Sequence, residues 1–339
     1  MTPTERLDLA SVESLARDAL LAKGFSEGQA SAIANNVTAA ERDGCLSHGL
    51  FRIPFYVAAS GNADCDPTAV PALSQPSGAV VHVDAGHGFC PNALEVGLGP
   101  LAETARQYGI AALAIRRVYN IAALWPEVER LAAEGLVAFA FTASNACVAP
   151  AGGIQPVFGT NPMAFGFPRS SGPPLVFDQA TSASARGEIQ LHKREGKPLP
   201  EGWAIDADGQ PTTDPEAALA GAQLPFGGYK GSSLSLMVEL LAGPLIGELS
   251  SRESAAHDVN KTGAPFGGEF LIAIDPARCA PPGQPVDHDA RAERILADVL
   301  GQEGTRLPSS RRYTARERSL VEGVDVSAPL LETIRGYCA

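Results

Sequence analysis

The stretch that decides the fold covers residues 79–115 and reads AVVHVDAGHGFCPNALEVGLGPLAETARQYGIAALAI. Its first six residues form an apolar, β-branched run, which predicts a strand over 79–84. Residues 92–108 carry apolar side chains at helical spacing and end at Gly109, a typical helix stop. A second apolar run predicts a strand over 110–115. Strand–helix–strand order predicts a layered α/β fold.

The same alternation continues towards the C-terminus. The pattern predicts a helix over 122–134, a strand over 136–142, strands near 163–167, 175–178 and 270–275, a long apolar helix from about Gly231, and two or more helices after the linker 280–283. Residues 191–222 are polar and rich in turns, so we expect them to form an excursion on the surface.

The N-terminal region is predicted to be helical. Apolar residues at helical spacing predict a first helix that ends before Gly24, and Ser26 with Gln29 predicts a capping box that opens a second helix reaching about Asp43. The apolar residues of these two helices that we expect to face inward are Val12, Leu15, Ala16, Ala19, Leu20, Ala30, Ile33, Ala34 and Val37.

Composition narrows the function classes. Of the 339 residues, 45% are hydrophobic and 19% are charged, and 26 basic against 38 acidic residues give a net charge of −12. Such an acidic chain is a poor candidate for binding nucleic acid or an anionic membrane. Glu239 and Pro244 interrupt the most apolar stretch, 234–249, so no membrane span is predicted. The first residues lack a secretory signal, and we expect a cytoplasmic protein.

Metal binding is also not expected. The six cysteines contain no C-x-x-C pair and the six histidines show no metal-like spacing. In a reducing compartment, such cysteines are typical of free or buried thiols.

A glycine-rich segment is the first candidate for ligand binding. No G-x-G-x-x-G follows a strand, and residues 226–233 (FGGYKGSS) lack the spacing of a P-loop. The segment nevertheless runs into a predicted helix with Lys230 at its tip, and free amides with one cation suit a phosphate. The alternative is an ordinary turn with a solvated lysine.

A histidine and an arginine form the second candidate. In the segment 47–52 (SHGLFR), a helical turn would place His48 and Arg52 on one face. An imidazole that donates a proton beside a guanidinium that holds a carboxylate suits reduction of a 2-keto or 2-imino acid. The alternative is a surface histidine and a salt-bridged arginine.

These motifs carry a resemblance to a known family. Residues 47–54 (SHGLFRIP), 158–162 (FGTNP), 177–182 (FDQATS), 224–231 (LPFGGYKG) and 306–308 (RLP) resemble the type-2 malate/L-lactate dehydrogenase family. Residues 122–126 (AALWP) and 311–313 (RRY) bring the chain closest to its Δ1-piperideine-2-carboxylate/Δ1-pyrroline-2-carboxylate reductases. The resemblance runs in order along nearly the whole chain.

The resemblance implies an α/β fold with a non-Rossmann NAD(P)-binding arrangement, a mixed sheet with helices, and a homodimer. It also implies discontinuous domains. Residues 1–115 with 285–339 would form a helical domain for substrate binding and dimerisation, and 116–284 an inserted NAD(P)-binding domain.

By matching position, the resemblance also implies site residues. Ser47, His48 and Glu188 would be catalytic, and Arg52 and Thr160 would bind substrate. Residues implied to contact the cofactor are Asn120, Ile121, Ala122, Ala123, Leu124, Asp178, Gln179, Ala180, Arg186, Gly187, Lys230, Arg306, Leu307, Pro308, Ser309, Ser310, Arg311 and Arg312.

Three positions depart from the reductases. Glu188 replaces an aspartate of the proton relay, Arg186 replaces a histidine, and Val118-Tyr119-Asn120 replaces Ser-His-His. One interpretation is drift with unchanged chemistry. A second is an altered substrate, since Arg186 adds charge and Tyr119 adds bulk that would suit a second acidic or hydroxyl group. A third is a damaged active site.

The sequence therefore predicts reduction of a small cyclic 2-imino carboxylate to an L-imino acid, proline- or pipecolate-like, with NADPH, or alternatively NADH. Protonation of the imine nitrogen by His48 makes C2 electrophilic, so that a nicotinamide can reduce it. The alternatives are a malate- or lactate-like 2-hydroxy-acid dehydrogenase and a dinucleotide-binding homodimer without turnover.

Overall fold

The computed structural model describes residues 3–74, 78–284 and 286–338. Its β-strands are β1 (Thr4–Leu7), β2 (Ala72–Ser74), β3 (Val80–Asp84), β4 (Ile110–Tyr119), β5 (Val137–Thr142), β6 (Met163–Phe167), β7 (Leu175–Gln179), β8 (Ala204–Ile205), β9 (Pro211–Thr212), β10 (Ala222–Gln223), β11 (Phe266–Ile274) and β12 (Val324–Ser327). Its α-helices are α1 (Leu9–Ala22), α2 (Glu27–Arg42), α3 (Ile53–Ala59), α4 (Cys90–Tyr108), α5 (Trp125–Ala133), α6 (Arg186–Glu195), α7 (Pro215–Ala220), α8 (Tyr229–Ala242), α9 (Ser251–His257), α10 (Pro276–Cys279), α11 (His288–Leu300), α12 (Ser310–Glu322) and α13 (Ala328–Cys338).

A seven-stranded mixed sheet forms the centre of the molecule. Its strand order is β2-β3-β4-β11-β5-β6-β7. The β3–β4 pair is parallel and the other neighbours are antiparallel. This arrangement confirms the predicted α/β class with a mixed sheet, and it differs from the parallel sheet of a Rossmann fold.

Helices α4 and α5 cover this sheet and form its main core. Leu113 and Ile115 of β4 are buried together with Leu101 of α4, Leu131 of α5 and Leu271 of β11. Burial of each such side chain contributes about 1.5–3 kcal/mol. The strand–helix–strand stretch at 79–115 thus forms the centre of the fold, as predicted.

The N-terminal helices form a second core with the C-terminal end of the chain. Strand β1 pairs antiparallel with β12, and helix α1 lies against α13. The inward-facing residues predicted for α1 and α2 are buried, except that Leu15 is only partly buried. Both ends of the chain therefore meet in one layer.

The predicted capping box at α2 is half right. The Gln29 amide donates to Ser26 Oγ over 3.4 Å, as predicted. The Gln29 side chain does not reach back. Its Nε2 donates to the Ala69 carbonyl over 2.9 Å, and its Oε1 accepts from the Phe89 amide over 3.2 Å. Gln29 is buried and joins two loops that the local pattern could not bring together.

The limits of β4 and α5 differ from those predicted. Strand β4 continues past 115 to Tyr119, because Val118 and Tyr119 pair with Gly267 and Phe266 of β11. The exposed Arg116 and Arg117 form ion pairs with Glu248 and Asp84. Helix α5 begins at Trp125 rather than at 122. The division into domains at 115/116 and 284/285 stays a prediction, and β4 runs through the first of these limits.

Residues 186–223 form a small unit beside the main sheet. It contains α6, α7 and a three-stranded sheet in the order β10-β8-β9, with Ile189, Leu199, Ala204 and Ala218 as its core. Most residues of this unit are exposed, which confirms the predicted surface excursion. The sheet was missed because its strands are two residues long.

Helix α8 begins at Tyr229, close to the predicted start. No single helix in the described ranges is long and apolar enough to cross a membrane; residues 229–246 and 251–257 pass that test only as a pair bent by 69°.

Candidate active site

Ser47, His48 and Arg52 lie on two short 3₁₀ turns, Leu46–His48 and Leu50–Arg52. The prediction of one continuous helical turn is therefore wrong. Gly49 has an extended ψ of −147°, which separates the two turns. Ser47 Oγ lies 3.0 Å from His48 Nδ1. The hydroxyl thus fixes one ring nitrogen and leaves Nε2 for another partner.

A buried glutamate holds these turns in place. Glu41 Oε1 accepts a hydrogen bond from the Leu50 amide over 2.7 Å. A Cβ at Gly49 would lie 2.2 Å from the same oxygen, so a larger residue between the two turns would displace the Glu41 side chain. Burial raises the pKa of Glu41 to about 7, against the lowering effect of the Leu50 amide. Sequence reasoning missed Glu41, although it follows Val37 by four residues and so shares its inward face.

The charges around His48 are unusual. Burial, with the nearby positive charge of Arg52, lowers the pKa of His48 to about 3. Burial also lowers the pKa of Arg52. The imidazole is therefore neutral near neutral pH, and the cation beside it is poorly solvated.

Arg52 is held by aromatic rings rather than by a carboxylate. Its guanidinium carbon lies 5.3 Å from the ring centroid of Phe55 and 5.9 Å from that of Phe51. Its Nε is buried without a hydrogen-bond partner, and Arg52 makes no ion pair within the described part of the chain. The alternative of a salt-bridged arginine is not observed. A half-buried cation with unused donors is suited to an incoming carboxylate.

Thr160 lies in a tightly bonded loop. Its amide donates to Ser144 Oγ over 2.9 Å, and the two hydroxyl oxygens are 3.1 Å apart. The next residue, Asn161, has a φ of +37° and is fully buried. Asn161 accepts from the Ser144 amide and donates to Glu239 over 2.6 Å. Asn161 and Glu239 therefore set the position of Thr160; the motif FGTNP was the available signal for Asn161.

The segment 120–124 connects β4 to α5 and is anchored at both ends. Asn120 Oδ1 accepts from the Ala122 amide over 3.1 Å. Asp178 Oδ2 accepts from the amides of Leu124 and Trp125 over 2.9 and 3.1 Å. Burial raises the pKa of Asp178 to about 6, partly offset by these two donors. The side chains of Ile121 and Ala123 are buried, so backbone groups form much of the accessible surface of this segment.

The glycine-rich turn before α8 has the predicted form. Gly227 and Gly228 have φ values of +58° and +63°, and a Cβ at Gly231 would lie 2.1 Å from the Phe226 carbonyl oxygen. Lys230 is exposed in the first turn of α8. Free amides at a helix N-terminus, next to this lysine, fit a phosphate.

The three arginines that the resemblance implies at the cofactor, Arg306, Arg311 and Arg312, differ in exposure. Arg306 and Arg311 are exposed. Arg312 instead packs its guanidinium 4.2 Å from the Trp125 ring centroid and donates to Ser309 Oγ over 2.7 Å. Nearby, Leu307 is buried, Pro308 is exposed, and Ser310 donates to the Leu307 carbonyl over 2.7 Å.

The first turn of α6 holds Arg186, Gly187 and Glu188, and both charged side chains are exposed. No hydrogen bond joins Glu188 to Ser47 or His48 in the described residues. The role of Glu188 in the relay stays a prediction. Gln179 is exposed at the end of β7, and Ala180 follows it.

Tyr119 does not line an open pocket. Its side chain has no exposed surface, its hydroxyl donates to Asp64 Oδ1 over 2.8 Å, and its ring packs 4.9 Å from that of Phe266. The interpretation that Tyr119 adds bulk beside a substrate is therefore not supported by its position.

Sequence and structure comparisons identify the family. Residues 7–335 match the family model described as malate/L-lactate dehydrogenase. The chain belongs to the malate/L-lactate dehydrogenase family.

Its similarity to individual members of that family extends over nearly the full length. The chain is 52% identical to a Δ1-pyrroline-2-carboxylate reductase of Ancylobacter novellus over 97% of this chain and 96% of that protein. It is 51% identical to a Δ1-pyrroline-2-carboxylate/Δ1-piperideine-2-carboxylate reductase of Pseudomonas aeruginosa over 96% and 97%. The crystal structure of Δ1-piperideine-2-carboxylate reductase from Pseudomonas syringae superposes with a TM-score of 0.93 at 43% identity, covering 98% of this chain and 100% of that one.

Membership in the family implies an oxidoreductase that uses a nicotinamide dinucleotide. The residues present fit this anionic group, because Lys230, Arg306 and Arg311 are exposed cations in an otherwise acidic chain. Within the described ranges, no cluster of three histidine, cysteine, aspartate or glutamate side chains could hold a metal ion.

Proposed function

We propose that the protein reduces Δ1-pyrroline-2-carboxylate or Δ1-piperideine-2-carboxylate to L-proline or L-pipecolate, with NADPH as reductant and NADH as the alternative. The observation that carries the proposal is the pairing of a neutral, Ser47-bound imidazole with a half-buried guanidinium at Arg52 whose Nε is buried and unpaired. The names of the similar proteins support it, since several are reductases of these two cyclic imino acids.

Arg52 would bind the substrate carboxylate. Because its Nε lacks a partner, a carboxylate can satisfy buried donors that the protein leaves unused. The Thr160 hydroxyl, fixed by Ser144, would provide a second polar contact. Both contacts orient the planar substrate.

His48 would donate the proton to the ring nitrogen from Nε2, with Ser47 holding Nδ1. Its pKa of about 3 is too low for this task in the substrate-free protein. A substrate carboxylate on Arg52 offsets the charge that contributes to this low value, and therefore raises the pKa of His48 when the proton is needed. Substrate binding and protonation are thus coupled.

The dinucleotide would lie against the segment 120–124, the turn at Lys230, and Arg306 with Arg311. When bound, it supplies the reducing equivalent. Glu188 would complete the relay to His48, and Arg186 and Gly187 would line the same region.

We further propose a homodimer in the cytoplasm. Leu236 and Leu240 on one face of α8 are 47% and 50% exposed, which suits a partner surface. All six cysteines are free, as is typical of a reducing compartment.

The proposal is tested by measuring NADPH and NADH consumption with Δ1-pyrroline-2-carboxylate, Δ1-piperideine-2-carboxylate, pyruvate and oxaloacetate. We expect turnover with the cyclic imino acids. Turnover with only the two keto acids would instead indicate a 2-hydroxy-acid dehydrogenase, and dinucleotide binding without any turnover would indicate a binding protein.

A further inference from the structure

Two buried glutamates, Glu127 and Glu269, lie near the segment 120–124 with their side chains within hydrogen-bonding reach of each other. Glu127, in the first turn of α5, is 2% exposed, and Glu269, on β11, is 0% exposed. Glu269 Oε2 accepts from Asn120 Nδ2 over 2.5 Å and from Cys90 Sγ over 2.8 Å. Glu269 Oε1 and both carboxyl oxygens of Glu127 are buried without a donor among the described residues.

A backbone irregularity brings Glu269 to this place. The register between β4 and β11 shifts between Gly267 and Glu269. A Cβ at Gly268 would lie 2.5 Å from Ile246 Cδ1 and 2.6 Å from the Ala242 carbonyl oxygen, so glycine is required at the shift. Gly268 thus allows the register shift that precedes the buried Glu269.

Two facing carboxylates without a cation are strongly unfavourable in a protein interior. One proton between them removes the repulsion and supplies the missing donor, since the protonated carboxyl group donates to the other. Burial is the main cause that raises the pKa of Glu269 to about 7, and burial with the charge of Glu269 raises the pKa of Glu127 well above its ordinary value.

The groups that face this pair add no positive charge. On α4, the Cys90 thiol stays protonated because burial and Glu269 raise its pKa. On β7, the negative charge of Asp178 raises the pKa of both glutamates. At the end of β4, Asn120 is a neutral donor. Burial and the charge of Asp178 therefore favour a proton on Glu269, whereas the hydrogen bonds that Cys90 and Asn120 donate to it favour its ionised form.

The pair is connected to both ends of the segment 120–124. Glu269 holds Asn120, whose Oδ1 in turn accepts from the Ala122 amide. Glu127 lies two residues after Trp125, whose amide is bound by Asp178. Separation of the two carboxyl groups would pull the ends of this segment apart.

We propose that Glu127 and Glu269 share one proton at neutral pH and that this proton positions the segment 120–124. Both are positioning residues. The consequence for dinucleotide binding rests on the proposed function, because that segment is proposed to contact the cofactor.

The test compares the full-length wild-type protein with Glu127→Gln, whose amide offers Glu269 a neutral donor at every pH. The control is Glu103→Gln, an exposed glutamate on α4. Infrared difference spectra of the dinucleotide-free protein, wild type minus Glu127→Gln, separate the protonated carboxyl group of this pair from that of Glu41, which both proteins contain. Amide hydrogen exchange at Ala122 and Leu124, corrected for intrinsic rates, reports the position of the segment, and a titration with NADPH gives Kd.

In the wild type and in Glu103→Gln, we expect a protonated-carboxyl band at neutral pH that is absent from Glu127→Gln and that disappears on alkaline titration. In parallel, exchange at Ala122 and Leu124 should accelerate and the Kd for NADPH should rise, each about tenfold for one pKa unit of coupling. In Glu127→Gln, the exchange rates and the Kd for NADPH should stay constant over the same pH range. Glu269→Gln, which keeps an oxygen acceptor for Asn120, serves as the second variant if Glu127→Gln does not fold.

The proposal is overturned if the wild-type-minus-Glu127→Gln difference spectrum shows no protonated-carboxyl band at neutral pH, or if Glu127→Gln shows the same pH-dependent exchange as the wild type. If the wild type binds no dinucleotide at any pH, the proposed function fails, whereas the infrared band and the exchange rates still decide whether the pair holds a proton and positions the segment.

Discussion

At the scale of single residues, the site depends on a cation that lacks a charged partner. Arg52 lies over two phenylalanine rings with an unused Nε, and its charge helps to keep His48 neutral. Such an arrangement costs free energy in the absence of ligand and favours binding of a carboxylate. The pKa of His48 therefore reports whether Arg52 is neutralised.

Replacing Arg52 tests this coupling. Arg52→Met should raise the pKa of His48 above about 3, because the positive charge is lost while burial remains. It should also raise KM for the imino acid about 10- to 100-fold, the loss expected for a hydrogen bond to a charged group. NMR titration of His48 and steady-state kinetics measure the two effects. Arg291→Met, at an exposed position on α11, serves as the control. An unchanged pKa in Arg52→Met would refute the coupling.

At the scale of elements, the sequence correctly predicted the helix ends that depend only on neighbouring residues. The helix stop at Gly109, with its φ of +89°, and the N-cap at Ser26 follow from single residues and their neighbours. The predicted β4 was too short because two arginines interrupt its apolar run, and its continuation depends on pairing with β11, a strand distant in the sequence.

The parts of the site that were not predicted depend on distant contacts. Glu41 and Leu50 are nine residues apart, and Glu269 lies 149 residues from Asn120. No spacing in the sequence reveals such pairs. The resemblance to a family predicts which motifs meet, but it does not indicate the buried acids beside them.

The turn before α8 provides a prediction at this scale. Gly231→Ala should lower the free energy of unfolding by about 1–3 kcal/mol, because the new Cβ meets the Phe226 carbonyl oxygen at 2.1 Å. It should also weaken dinucleotide binding, since the turn presents Lys230. Gly336→Ala is the matched control in α13, where a Cβ meets nothing within 4 Å. It should stabilise the protein by about 0.5–1 kcal/mol. Chemical denaturation measures both; equal effects of the two substitutions would contradict the account.

At the scale of the whole molecule, an acidic chain also buries several acids. Burial raises the pKa of Glu41 and of Glu269 to about 7, and that of Asp178 to about 6. Between the pKa of the unfolded chain and these values, the folded protein binds more protons than the unfolded one. The contribution of these three acids to stability is therefore fully present below their unfolded pKa and is lost as the pH rises towards 7.

The pH dependence of the free energy of unfolding follows from this difference in proton binding. The free energy of unfolding, measured with urea, should fall between roughly pH 5.5 and pH 8, and Glu41 alone should account for about 2 kcal/mol of the loss. Glu41→Gln keeps an oxygen for the Leu50 amide and should reduce the pH dependence by that amount, whereas Glu103→Gln should leave it as in the wild type. Stability that rises over this interval would show that the buried acids are ionised without penalty.

The central claim is that His48 donates the proton in an imino-acid reduction. Its most direct test is steady-state turnover of Δ1-pyrroline-2-carboxylate with NADPH by His48→Ala, compared with His82→Ala, which changes an exposed histidine on β3. The account predicts that kcat falls about 10²- to 10⁴-fold in His48→Ala, with the Kd for NADPH retained, and that His82→Ala behaves as the wild type. A kcat for His48→Ala equal to that of the wild type would contradict it.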